Sequence, residues 1–331
     1  MINWDAHACL PQHPHADFTP VRKLHAAGVN YVSLNVGGDM NPVPQVMSVI
    51  AGYRATIAAE PERYTLVSSV DDIIKAAADG RMAITFDLEG AMPLLDQPEM
   101  VALYAQLGVR QIHLAYNRNN NVADGCHDLP RGLTPLGHSM VEAINDAGML
   151  MDCSHTGRRC SLDIMAASSK PVIFSHTNAY ALASHGRNVT DEQIRACADT
   201  NGVVCVSGLS WFLGADKPGA DDVARHVAYI ADLVGVSHVG IGLDICFQQP
   251  GLDDTPPGDF DPGYWWPASA GYRADQPPAF TPPEVWRELA GALRKIGMSD
   301  QETALVMGRN MMRVAQQVWH QPSVPFSPGA I

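Results

Sequence analysis

Long apolar runs, clustered basic residues and closely paired cysteines are all missing from this chain of 331 residues, and each absence removes a class of function. No uninterrupted apolar stretch approaches the ~18 residues that a membrane-spanning helix needs. The opening residues, Met1 to His7, have neither the basic nor the apolar region of an export signal. The expectation is an unexported cytoplasmic protein with no membrane partner. Lys and Arg number 22 against 35 Asp and Glu, for a net charge of -13. They are also dispersed, whereas a nucleic-acid partner calls for clustered cations, so none is expected. Seven cysteines are odd in number and contain no CxxC pair, which speaks against a zinc knuckle or redox motif and for a reducing cytosol. A GxSxG elbow is absent, and Val36-Gly37-Gly38-Asp39 lacks both GxGxxG spacing and a P-loop Lys-Ser/Thr, so it reads as a turn.

What is present is a globular composition, 46% hydrophobic and 17% charged. Its length suits one large α/β barrel or two ordinary domains. Short apolar, β-rich runs near residues 2–6, 31–36, 82–88, 111–116, 149–153, 171–175, 202–207 and 238–243 alternate with helical periodicity. That alternation predicts repeated βα units, and about eight of them predict a TIM-like (β/α)8 barrel in a single domain over 1–331. Between the strands, Thr134-Pro135-Leu136 opens an amphipathic stripe that Gly148 should end, and Thr190 is placed to cap a helix begun by Asp191 and Glu192. Residues 248–282, rich in Pro, Gly and aromatics, predict a long irregular loop on the active-site face. Two closing helices (283–296 and 301–317) and a tail (320–331) complete the chain.

The informative pattern is what ends the strands. His7, Glu89, Asn117, His155, His176 and Asp244 each follow a candidate strand, and in a parallel barrel all strands end on one rim, where barrel enzymes carry their chemistry. Three imidazoles and two carboxylates converging there predict a site for Zn²⁺ or a similar divalent ion. Each residue also has a plain structural reading: a loop histidine, a surface ion pair for Glu89, a helix cap for Asp244. Those readings would have to hold independently at five strand ends. Ser154-His155 and Ser175-His176 resemble serine-base pairs, but adjacent residues of a strand project to opposite sides, so no contact within either pair is expected. Met311-Met312 reads as core filling.

These residues also carry a family resemblance over almost the whole chain. Asp5-Ala6-His7, Asp87-Leu88-Glu89-Gly90, Gly132-Leu133-Thr134-Pro135-Leu136-Gly137 with Met151-Asp152-Cys153-Ser154-His155, Pro171-Val172-Ile173-Phe174-Ser175-His176 with Arg187-Asn188-Val189, Gly240-Ile241-Gly242-Leu243-Asp244 and Gly308-Arg309-Asn310 resemble the motifs of the membrane dipeptidase (renal dipeptidase-like) metallopeptidases. The resemblance implies a zinc dipeptidase that hydrolyses short substrates with a free C-terminal carboxylate through a metal-bound hydroxide. It also implies a binuclear Zn²⁺ site in which Glu89 bridges, His155 and His176 complete one ion, and His7 belongs to the other. Asp244 would be the proton shuttle and Arg187 the clamp on the substrate carboxylate.

Two positions depart from that pattern. Cys9 stands where the family usually has the Asp of H-x-D, and a thiolate can ligate zinc at about 2.3 Å, so one ion or two are both consistent. Asn117 stands where better-known members carry a substrate-contacting His, and an amide supplies no imidazolium charge. A G-x-D-x-D variant is absent because Cys246 follows Ile245. Alongside the dipeptidase reading stand a related hydrolase of another small amide, a catalytically silent ligand-binding barrel, and a homodimer of any of these.

Overall fold

The computed structural model describes residues 1–252, 255–273 and 275–319; the tail expected over 320–331 lies outside them. Ten strands form one sheet: β1 (Trp4–Cys9), β2 (Tyr31–Gly38), β3 (Tyr64–Leu66), β4 (Met82–Glu89), β5 (Val109–His113), β6 (Leu150–Asp152), β7 (Val172–Thr177), β8 (Val203–Val206), β9 (Val239–Ile241) and β10 (Ile245–Cys246). Their order is β10-β1-β2-β4-β5-β6-β7-β8-β9, and every pairing is parallel. The circuit closes because the chain leaving β9 bends at Gly242 to Asp244 and continues as β10, which pairs with β1. This is the expected (β/α)8 barrel, and all eight expected strands are present. The last, expected as one run over 238–243, is split by the bend. β3 was not expected; it pairs with Met82 to Ile84 at the start of β4, while β5 takes the far end of the same edge.

Helices Thr19–Ala26, Val43–Ala59, Glu99–Leu107, Pro135–Asp146, Arg158–Ala167, Asp191–Asp199, Ala220–Val234 and Trp286–Lys295 pack around the barrel. The expected boundary signals operate. Thr134 and Thr190 accept from the backbone N–H groups of Gly137 and Gln193, and Gly148 takes a left-handed conformation past its helix. None of the described helices is long and apolar enough to cross a membrane.

The barrel's lower mouth is plugged by helix Asn310–Val318. Met311, Val314 and Val318 join Trp4, Tyr31, Leu150, Ile173 and Val203 in a buried cluster, and the Trp4 and Tyr31 rings stack at 3.7 Å. The helix expected over 301–317 is instead interrupted between Asp300–Ala304 and Asn310–Val318. Gly308 lies in the break, where any side chain would run into the carbonyl of Ile2. Val36 to Gly38, expected as a turn, belong to β2 and are buried. Apolar side chains thus fill the bottom of the barrel.

Candidate metal centre and active site

Bulges set the aim of two key side chains. β1 advances from Asp5 to Ala8 while β2 advances only from Val32 to Leu34, so an extra residue lies at His7. β7 likewise advances from Phe174 to Thr177 against Val204 to Val206, around His176. A bulge breaks the strict alternation of a strand and re-aims its side chains, and here the His7 and His176 rings stack at 4.0 Å. The same bulge corrects an expectation. Ser175 and His176 do touch, Oγ to Nδ1 at 2.7 Å, because the irregular backbone places neighbouring side chains on one side. Ser175 is fully buried and also contacts Ser154 Oγ at 3.2 Å, so the contact orients the ring.

Around Glu89 the donors converge. One carboxylate oxygen, Oε1, lies 3.5 Å from His7 Nε2, 3.6 Å from His113 Nε2, 3.2 Å from His155 Nε2 and 3.4 Å from His176 Nε2. The opposite nitrogen of every ring is engaged elsewhere. His7 Nδ1 meets Asp87 at 3.2 Å, His113 Nδ1 donates to the Ser154 carbonyl at 2.6 Å, His155 Nδ1 donates to Asn117 Oδ1 at 2.7 Å, and His176 Nδ1 meets Ser175. A neutral ring that donates from Nδ1 carries its lone pair on Nε2. His155 and His176 turn those nitrogens to within 2.9 Å of each other. Lone pairs facing one another and a carboxylate repel unless a cation lies among them, and a ligating histidine held by an outer hydrogen bond is the usual second layer of a metal site. The residues present therefore fit a divalent ion.

The electrostatics follow from burial. Burial pushes the Glu89 carboxyl up to about 8, with Asp87 and Asp244 adding to the rise and His7 and Arg187 opposing it. Burial drives His155 and His176 well below the ordinary imidazole value, helped by Arg187 and neighbouring histidines. His7 goes the other way: burial works to lower it, but Asp87 and then Glu89 outweigh that and hold it well above its ordinary value. Asp244 is raised, first by burial.

Four groups of mutually close donor atoms lie among the described residues, two of which include Asp244, one with His7 and His176 and one with Cys9 and Cys246. Glu89, His155 and His176 offer one set of mutually close donor atoms; His7, Cys9 and Glu89 offer another, with Cys9 Sγ 3.4 Å from His7 Nε2. Asp244 Oδ1 lies 3.8 Å from His7 Nε2. Three of these centres sit on a strained backbone: Asn117, His155 and Asp244 have φ of 59°, 62° and 58°, a conformation that costs L-residues energy and gathers at functional sites. Asn117 is occupied at both ends, since its Nδ2 donates to the Trp265 carbonyl at 3.0 Å. Arg187 is 3% exposed, donates from Nη2 to the His176 carbonyl at 3.1 Å and leaves Nε without a partner. It lines a cavity of about 310 Å³ together with His155, Tyr180 and Cys126. From the 248–282 stretch, Trp266 Nε1 donates to Tyr116 Oη at 3.0 Å, and Tyr272 Oη meets His127 at 3.0 Å, which brings aromatic side chains over this end of the barrel.

Sequence reasoning missed His113, Asp87 and Cys246. Strand β5 ends at His113, four residues before Asn117, and the signal was there: Gln111 and His113 alternate onto one face. Asp87 lies within the Asp87-Leu88-Glu89-Gly90 motif, and its contact with His7 Nδ1 emerges only in the fold.

Comparison with known proteins decides the lineage. Residues 15–255 match the sequence model of the membrane dipeptidase family, peptidase family M19. The chain belongs to the membrane dipeptidase family. His7 and Cys9 precede the matched residues. This family member is 28% identical over 265 residues to dipeptidase tcpJ of Claviceps purpurea, covering 78% of this chain and 56% of the relative. The chain thus spans little more than half the length of that curated relative. An amidohydrolase from Pseudomonas aeruginosa has the same fold, with a TM-score of 0.84, 26% identity and 96% of both chains covered. A metallopeptidase from Rhodobacter sphaeroides, solved with a phosphinate mimic of the dipeptide L-Ala-D-Ala, shares the fold at a TM-score of 0.77 and 18% identity, over 96% of this chain and 99% of that one.

Proposed function

We propose that this protein is a divalent-metal dipeptidase, with zinc as the ion and a dipeptide bearing a free C-terminal carboxylate as the substrate. The observation that carries the reading is the ring of four Nε2 atoms around Glu89 Oε1, each imidazole locked from behind. Family membership and the dipeptidase name of the Claviceps relative support it. Glu89, His155 and His176 would hold one ion, and His7 and Cys9 with the shared Glu89 the other. Bound there, two dications supply an activated water and polarise the scissile carbonyl.

The chain's own residues do the rest. Asp244, beside His7 at the split between β9 and β10, accepts the proton of the attacking water and delivers it to the leaving amine. Arg187 presents its planar fork to the substrate carboxylate, which restricts the enzyme to short substrates. Asn117, expected at the substrate, serves better as the residue that orients His155, since both ends of its amide are engaged within the protein. The test is hydrolysis of a panel of free-acid dipeptides by the metal-loaded protein and by Glu89→Gln. Activity that depends on both metal and Glu89 is the expected result. A fully loaded protein that cleaves none of them would reduce the barrel to a binding module.

A further inference from the structure

Cys9 has a second thiol beside it. Cys9 and Cys246 are register partners in the parallel β1·β10 ladder, and Phe247 N–H donates to the Cys9 carbonyl at 2.9 Å. The two Sγ atoms and an Asp244 carboxylate oxygen lie within 4.8 Å of one another. Cys9 is also the sulfur of the group it forms with His7 and Glu89. Two sulfurs on one tetrahedral zinc ion, each at about 2.3 Å, stand about 3.8 Å apart, so a pair already within 4.8 Å can share an ion after a modest side-chain movement. Cys9 is half-buried and Cys246 is exposed at the rim. Within the chain they differ from Cys153, Cys160, Cys197 and Cys205, all buried.

We propose that Cys9 and Cys246 together form a dithiolate pocket with His7 and Glu89, selective for thiophilic ions such as Zn²⁺ or Cd²⁺. The Glu89–His155–His176 pocket beside it offers only nitrogen and oxygen. Soft thiolates favour such ions over Mn²⁺ and Mg²⁺, which prefer oxygen donors. Cys9 joins two donor groups, one with His7 and Glu89 and one with Asp244 and Cys246, so Cys246 adds a second sulfur to the ion that Cys9 would hold. The assignment rests on the proposed two-ion reading of the site.

The test uses the full chain, stripped of metal under a phosphine reductant and reloaded with Co²⁺, and reads the near-ultraviolet thiolate-to-cobalt charge-transfer absorption. Wild type should show the band, Cys9→Ser and Cys246→Ser should each keep about half of it, and the double variant should lose it, since each thiolate contributes one bond. Because Cys246 is exposed, Cys246→Ser should keep its fold, checked by an unchanged melting temperature. In parallel, stoichiometric Zn²⁺ should slow alkylation of Cys246 by iodoacetamide, and a chelator should restore the rate. A band unaffected by Cys246→Ser, or Cys246 alkylating equally fast with and without metal, overturns the proposal. Hydrolysis of dipeptides without a Cys246-dependent band would leave the dipeptidase reading standing and sink this one. The band without hydrolysis would do the reverse.

Discussion

Removing the Arg187 side chain separates substrate recognition from chemistry. The guanidinium is buried beneath the site, 5.3 Å above the Phe212 ring, with one hydrogen bond to a carbonyl and an unpartnered Nε. No carboxylate lies within ion-pair distance of it among the described residues. A substrate carboxylate docked there gains charge-assisted hydrogen bonds worth roughly 1.5–3 kcal/mol. At about 1.4 kcal/mol per tenfold change, that is a loss of about 10- to 150-fold in kcat/KM for Arg187→Ala. The loss should appear mainly in KM, because the ligands around Glu89 remain in place. Arg187→Lys, which keeps the charge without the fork, should fall between. The assay compares a dipeptide with its C-terminal amide. Wild type should prefer the free acid by a similar factor, and Arg187→Ala should erase that preference. Wild type cleaving acid and amide equally well would refute the clamp and turn the account toward a different amide hydrolase.

Asp244→Asn should lower kcat by at least ~10² while leaving dipeptide KM within a few-fold, because the proton relay is lost and the binding groups are kept; an unchanged kcat would assign the relay elsewhere. Asn117→Ala removes the acceptor behind His155 and should weaken metal binding by about 10- to 100-fold, read by competition with a fluorescent chelator. The buried His226 accepts from Ala179 N–H at 3.2 Å, and burial lowers its pKa to about 4. Neutral when folded and near 6.5 when unfolded, it contributes stability that is complete above pH ~6.5 and lost as the pH falls toward ~4, about 3 kcal/mol in all. Urea unfolding at the two pH values should show a correspondingly smaller acid loss in His226→Gln, and identical losses would contradict the assignment.

The barrel was legible because its strands are apolar runs whose periodicity depends on neighbours in sequence. The site was legible where a ligand follows an apolar run closely, as Glu89 ends β4 and His155 follows Leu150–Asp152. His113 is hidden because the apolar residues Leu114, Ala115 and Tyr116 continue the run past the point where β5 ends. The Ser175–His176 contact contradicted the alternation rule because β7 carries a bulge there. Cys246 was invisible as a partner of Cys9 because their adjacency depends on barrel closure, after a left-handed turn at Asp244. Asn117 lies four residues past the end of β5, and its orientation toward His155 depends on a positive φ that sequence does not announce.

The most direct test of the central claim is to titrate metal-stripped protein with Zn²⁺ while following hydrolysis of a free-acid dipeptide and the metal content of the same samples. Activity should rise from none and level off at about one to two equivalents per chain, and Glu89→Gln should neither retain the metal nor hydrolyse the substrate. Hydrolysis by metal-free protein, or full metal loading without hydrolysis, would contradict it.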